Sequence, residues 1–252
     1  MKPVISFANH KGGVGKTTSA VNVASVLAEM GKQVLLMDLD PQGSASLHLG
    51  VRDKGSGLLR ALESTVALPV VPTGVAGVDL IPSGPVLSEA AHRFSGVLGT
   101  EILARCLART QGDWEIVIID CPPGLGILTM GALQASQHLV VPIETNHLAL
   151  NGLYQLIETL NSMNRGNRRP GILGIITCRA NPRRRLHREL TADLERQFPG
   201  MIAPVVRDNV SLAEAPSYGK PVNLHAPKSN GAEDYRQVTQ WLLKRLDGET
   251  RQ

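Results

Sequence analysis

"PVISFANHKGGVGKTTSAVNVASVLAEMG" occupies residues 3–31, and its reading decides the fold. Residues 3–9 are short, apolar and end at a run of glycines, the pattern of a buried strand. From Lys16 onward apolar residues recur at helical spacing until Gly31 supplies a stop. A glycine-rich loop between a strand and a helix lets backbone N–H groups close around phosphate oxygens, and the helix N-terminus adds its dipole. Gly12, Gly13, Val14, Gly15, Lys16 and Thr17 fit the phosphate-loop pattern G-x-x-x-x-G-K-[ST], except that its first position falls on His10, or on Lys11 if read one residue late. Lys16 is expected on the β and γ phosphates, the Thr17 hydroxyl on Mg²⁺, and Thr18 on the α phosphate. The same loop carries Lys11, and one lysine is enough to hold a phosphate, so the second needs its own account.

Working outward, 33–40 and 114–124 read as further buried strands, each running into an acid, and 78–84, 138–144 and 171–178 complete the apolar runs. Residues 201–206 read as a last strand. Helices are expected at 60–62, 87–109, 126–136, 148–163 and 184–197, with a terminal amphipathic helix from 231 to 248. Near-continuous apolar strands alternating with helices predict an α/β fold, a mostly parallel twisted sheet covered by helices on both faces. With no repeat, linker or low-complexity tract, residues 1–252 are expected to form a single phosphate-loop ATPase domain, its site at the C-terminal ends of the strands.

Composition narrows the class. The chain is 42% hydrophobic but only 3% aromatic, so its core must be aliphatic. No apolar run is long enough to span a bilayer, and the N-terminus reads as a strand, not a signal peptide. Cys106, Cys121 and Cys178 have no metal-type spacing and are expected as reduced thiols in a cytoplasm. His10, His147 and His225 form no ligand pattern either. The net charge of +4 is uneven: residues 165–228 hold twelve Lys/Arg against five Asp/Glu. That stretch includes Arg165, Arg168, Arg169, Arg179, Arg183, Arg184, Arg185 and Arg188, a concentration that attracts polyanions.

Two acids are candidates for the metal side. Asp120 ends the strand "IVIID" and is expected to hold a magnesium water. Asp40 ends "LLMDLD", where a carboxylate would face the γ phosphate and orient the attacking water. Asp38 competes for that role: two residues earlier on a strand, it lies on the same face but deeper.

These residues together resemble the ParA/MinD family of ATPases. "KGGVGKTT" is similar to the family's deviant Walker A box, "VLLMDLDPQGSAS" to its second motif, "IIDCPPGLGILTMGAL" to its Walker B and switch II, and "PIETNHLALNGLYQL" and "LAEAPSYGKPV" to later segments of ParA-type partition proteins. The likeness runs over nearly the whole chain and is greatest to the short Soj-like type, without the N-terminal DNA-reading domain of longer members. It implies that Lys11 is the signature lysine, crossing a face-to-face homodimer to the partner's nucleotide, with Gly12 bare because the partner's backbone approaches there. A lysine supplied from each side would neutralise two facing nucleotides only once the dimer forms. The resemblance further implies ATP and Mg²⁺ as ligands, slow hydrolysis stimulated by a ParB-like partner, and nonspecific DNA binding on a nucleoid in the cytoplasm. "RDNVS" (207–211) aligns with the loop that packs over adenine, commonly Pro-Arg-Asn-Val-Arg. Asn209 keeps the position that can bond the adenine, the usual proline is Arg207, and Ser211 replaces an arginine linked to DNA binding. Arg183, Arg184, Arg185, Arg188 and Lys220 are the candidates to compensate, through phosphate contacts without base reading.

Other readings share the phosphate loop. A MinD-like membrane switch would end in a basic amphipathic helix; here Tyr235, Val238, Leu242 and Leu246 form an apolar stripe among acids, so docking on the body is expected and no membrane partner. A nitrogenase-type iron protein would need cluster-bridging cysteines, and a cobyrinic-acid amide synthase a glutaminase domain for which 252 residues leave no room. A ParA-type ATPase positioning carboxysomes or chemosensory arrays would keep the chemistry and change the cargo.

Overall fold

The computed structural model describes residues 2–94, 96–145, 149–163, 170–181 and 183–250. In chain order the elements are β1 (Val4–Phe7), α1 (Lys16–Glu29), β2 (Val34–Asp38), α2 (Ser44–His48), α3 (Ser56–Ser64), β3 (Val71–Pro72), β4 (Val78–Ile81), α4 (Ala90–Arg93), α5 (Gly96–Arg109), β5 (Ile116–Asp120), α6 (Ile127–Ala135), β6 (His138–Glu144), α7 (Ala149–Ser162), β7 (Gly171–Cys178), α8 (Arg185–Gln197), α9 (Val210–Glu214), α10 (Val222–His225) and α11 (Asn230–Thr250).

The seven strands lie in the order β3-β4-β2-β5-β1-β6-β7. All pairings are parallel except β3 with β4. From the central β1 the chain moves out to β2 and β4, returns to β5, then crosses to β6 and β7 on the other side. Ligand sites of open α/β sheets form at such a reversal, beyond the carboxyl ends of the strands.

The continuous apolar strands are explained by burial on both faces. Leu35, Met37, Val117, Ile119, Leu139 and Val141 belong to one core cluster, with residues of α3, α5, α6, α7 and α8. Their alternating neighbours Val34, Leu36, Ile116, Ile118 and Val140 belong to the other, with α1, α10 and α11. The stripe of α11 is turned inward: Tyr235, Val238, Leu242 and Leu246 are all buried, so the terminal helix docks on the body as expected. No helix among the described residues is long and apolar enough to cross a membrane.

The structure corrects three local expectations. Residues 201–206 do not form a regular strand: they run beside β7 with isolated bridges at Ile175–Ile202 and Ala180–Arg207, and between them the ladder slips by one residue, the Ala203 N–H donating to the Ile175 carbonyl but the Val206 N–H, not that of Val205, to the Thr177 carbonyl. The helix expected over 87–109 is broken: a 3₁₀ turn at Pro85–Glu89 leads into α4, Phe94 adopts an extended backbone while packing on the core, and α5 follows. The helix expected at 60–62 extends over all of α3.

Candidate nucleotide site

The loop after β1 opens a cavity of 560 Å³ at the C-terminal edge of the sheet. Gly13 (φ 73°) and Gly15 (φ 94°) both adopt left-handed backbone. At Gly15 a Cβ would also lie 3.0 Å from Cys178 Sγ, so only glycine fits there without strain. Val14 is buried beneath the loop. Gly12 differs: a Cβ there would come no closer than 3.9 Å, to Pro123, so nothing inside this protomer forbids a side chain.

Gly12, Gly13, Gly15, Lys16, Thr17, Thr18 and Asp40 all face the cavity, whereas Lys11 is not among the described residues that line it. Lys16 is buried, and its Nζ donates to the Lys11 carbonyl at 2.9 Å. Burial depresses its pKa, while Asp120 and Asp40 pull it back up. Asn9 holds the start of the loop, donating to the Pro142 carbonyl at 2.7 Å and accepting from the Lys11 N–H at 3.1 Å. The Lys11 stem passes close to Gly152 of α7. The Gly124 N–H donates to the His10 carbonyl at 2.9 Å, tying the β5–α6 turn to the phosphate loop.

The three acids divide sharply. Asp38 is fully buried; it accepts from the Ser46 N–H at 2.8 Å, the Ser46 hydroxyl at 2.7 Å and the Asp40 N–H at 3.1 Å. Burial raises its pKa to about 6, against the pull of the Ser46 bonds. It is a strut that holds α2 to the end of β2. Asp40 lines the cavity and accepts from the Gln42 N–H at 2.9 Å. Asp120 is fully buried with both carboxyl oxygens unpartnered. Burial drives its pKa far up, adjacent Asp38 adds to this, and the Thr17 hydroxyl and Lys16 beside it work the other way. An orphaned buried carboxylate is costly. Next to a lysine and a threonine hydroxyl it fits a hydrated Mg²⁺, a cation that keeps several waters and takes few protein ligands.

The far end of the cavity is formed by Cys178, Arg179, the segment from Val206 to Asn209, Leu212, Pro216 and Tyr235. The Asn209 side-chain oxygen caps α9 by accepting from the Ser211 N–H at 2.9 Å, which leaves its amide nitrogen as donor. Cys178, at the end of β7, is buried and its thiol is pushed up to about 12, so it stays protonated. All three cysteines are free and buried.

Arg183, Arg184, Arg185 and Arg188 are exposed together at the start of α8. Cations at a helix N-terminus oppose its dipole. Arg185 pairs with Glu189 at 2.7 Å, an exposed pair of little energetic weight. Lys220 is exposed too, but it precedes α10, which packs on the opposite face of the sheet from α8. Arg165, Arg168, Arg169 and His147 lie outside the described residues.

The sequence placed Arg179 only in the basic stretch, Arg207 only as the replacement of a proline and Tyr235 only in the apolar stripe of the last helix; the structure brings all three to the cavity. Arg179 had a signal, since it follows a parallel strand. Tyr235 had none, because its helical spacing reads as core, and its hydroxyl does meet Ser19 of α1 at 3.0 Å.

A strand, a left-handed glycine turn, a buried lysine and an adjacent strand-end acid define a phosphate-loop nucleotide-binding protein. Comparison with known proteins narrows the class. Residues 2–170 match the model of a family described as an AAA domain. The chain is 39% identical to the chromosome-partitioning ATPase Soj of Thermus thermophilus, over 96% of each chain. It is 37% identical to the sporulation initiation inhibitor protein Soj of Bacillus subtilis, over 93% of this chain and 96% of that one. Among solved structures, cobyrinic acid a,c-diamide synthase from Mycobacterium smegmatis, with ADP and magnesium bound, superposes with a TM-score of 0.83 at 30% identity, covering 99% of this chain and 97% of that one. The chain therefore belongs to the ParA/MinD family of ATPases. The last match also removes chain length as an argument against the synthase reading.

Proposed function

We propose that this chain is a Soj-type ATP-dependent switch of DNA segregation, acting as a single domain over residues 1–252. The observation that carries it is the division between the two lysines: Lys16 is buried in the cavity, while Lys11 lies outside the lining of its own protomer's cavity. In this reading Gly12, Gly13, Val14 and Gly15 present their N–H groups to the phosphates of ATP. Lys16 neutralises the β and γ oxygens, and Thr18 and Asn209 bind the α phosphate and the adenine. Thr17 directly, and Asp120 through a water, would hold Mg²⁺, which supplies positive charge at the phosphate oxygens. Asp40, at the metal side, orients the attacking water. Lys11 completes the site of a second copy, and the room at Gly12 admits the partner's backbone.

Hydrolysis is slow in this reading, because Asp40 positions the water without deprotonating it. A ParB-like partner stimulates it. The ATP dimer binds DNA nonspecifically through Arg183, Arg184, Arg185 and Arg188, whose crowding at the α8 N-terminus a polyanion would relieve, and Lys220 adds a separate contact. The protein then works in the cytoplasm, on the nucleoid. The relatives' names favour this over the synthase reading.

The dimer step is tested by measuring solution mass with ATP, with ADP and without nucleotide, for wild type and Lys11→Ala. Doubling with ATP in the wild type alone supports it; a Lys11→Ala dimer would remove the assigned role of Lys11.

A further inference from the structure

The base end of the cavity carries a feature that the family's usual loop lacks. Arg207 stands where proline is common, and it is fastened to Asp234, in the first turns of α11. Its backbone N–H donates to Asp234 Oδ2 at 2.9 Å, its Nε to both carboxylate oxygens at 3.0 Å, and its Nη2 to Oδ1 at 2.6 Å. The Asp234 side chain is 4% exposed and that of Arg207 39%, so the anchor is buried while the guanidinium remains open to the cavity it lines.

We infer that the Arg207 guanidinium is the platform on which the nucleobase stacks, held in position by Asp234; this rests on the nucleotide reading above. One edge of the guanidinium fork is already bonded to a carboxylate, and its charge is matched there. Nη1 keeps its N–H donors, but a cation whose charge is already matched gains less from a phosphate than Lys16 does. The carboxylate fixes the guanidinium plane, and a fixed flat face in a nucleotide cavity suits a π system. Among the described lining residues the only rings, Tyr235 and His48, are 1% and 2% exposed, and the other guanidinium, Arg179, is 63% exposed and reaches Glu144 at 3.4 Å where Arg207 is held by a buried carboxylate at several atoms. The adjacent Asn209 amide nitrogen supplies an edge donor, so one short segment would meet both the face and the rim of the base.

The test is calorimetric titration, with magnesium, of wild type, Arg207→Ala, Arg207→Lys and Asp234→Asn against ATP and against inorganic tripolyphosphate, which has the phosphates and no base. Arg207→Ala is expected to weaken ATP about 3- to 10-fold and leave tripolyphosphate unchanged. Arg207→Lys keeps the charge without the plane and should lose as much. Asp234→Asn should fall between. The double variant Arg207→Ala with Asp234→Ala, which leaves no unpaired buried carboxylate, should show the same selective loss with its melting temperature monitored. Equal losses for both ligands, or full ATP affinity in Arg207→Lys or Arg207→Ala, would overturn the stacking role. A wild type that binds neither ligand would overturn the nucleotide reading itself.

Discussion

Asp38 and Asp120 are direct cross-strand neighbours at the carboxyl edge of the sheet, paired in register between β2 and β5, yet Asp38 is bonded to Ser46 and Asp40 while the Asp120 carboxyl has only the Thr17 hydroxyl and Lys16 beside it. The same residue type thus serves opposite ends. Replacing Asp38 by alanine removes the acceptor for Ser46 and Asp40 and should cost about 2–4 kcal/mol of stability, read as a lower denaturant midpoint. Asp120→Asn removes the tendency of an orphaned acid to charge. It should leave the ligand-free protein equally stable or more stable by about 1–3 kcal/mol, while abolishing the magnesium dependence of ATP binding. Loss of stability in Asp120→Asn without ligand would show that Asp120 is a structural residue.

Asp40 lines the cavity and bonds only locally, to the Gln42 N–H. Asp40→Ala should therefore keep ATP affinity within about 3-fold and lose ATP turnover by about 10²-fold or more, since water positioning matters only in the reaction. Single-turnover hydrolysis measured beside equilibrium binding separates the two; a parallel fall in both would make Asp40 a binding residue.

Gly12 and Gly15 should fail differently. Within the protomer a side chain at Gly12 has room, so Gly12→Val should bind ATP and remain monomeric. At Gly15 the backbone is left-handed and Cys178 is in the way, so Gly15→Ala should lose ATP binding altogether. Binding and mass measurements on both variants check this. An ATP dimer of Gly12→Val would contradict the close approach at that glycine.

His48, on α2 at the cavity wall, is buried, and desolvation lowers its pKa from 6.5 to about 4. The unfolded chain then binds the extra proton first as pH falls. The stability linked to neutral His48 is complete above the unfolded value of 6.5 and is lost as pH drops through the folded value near 4. Raised Asp38 acts with the opposite sign over much of the same window. The decisive quantity is a difference: between pH 7 and 4.5 the wild type should lose up to about 3 kcal/mol more than His48→Leu. Parallel melting curves at each pH for the two proteins would contradict the buried neutral imidazole.

Much of this architecture was legible because its signals are local. The strand–glycine–helix unit follows from residues 3–31 alone, and burial on both faces makes β2 and β5 read as unbroken apolar runs. What was not legible depends on contacts distant in sequence. Residues 201–206 have strand-like composition and do bond to β7, but the one-residue slip between Ala203 and Val206 that breaks the ladder is set by the pairing and not by their own sequence. Phe94 breaks a helical pattern by turning its backbone to reach the core, which periodicity cannot reveal. Asp38 and Asp40 are indistinguishable by spacing; Ser46, on the next helix, decides between them. Arg207 and Asp234 are joined across residues that fold α9 and α10 between them, so their pairing has no sequence signature.

The most direct test of the central claim is DNA retention at two salt concentrations, with ATP, ADP or no nucleotide, by wild type and Lys11→Ala. The account predicts binding only with ATP, weakened by salt as phosphate contacts require, and absent in Lys11→Ala. Binding that ignores the nucleotide, or an ATP dimer that ignores DNA, would contradict it.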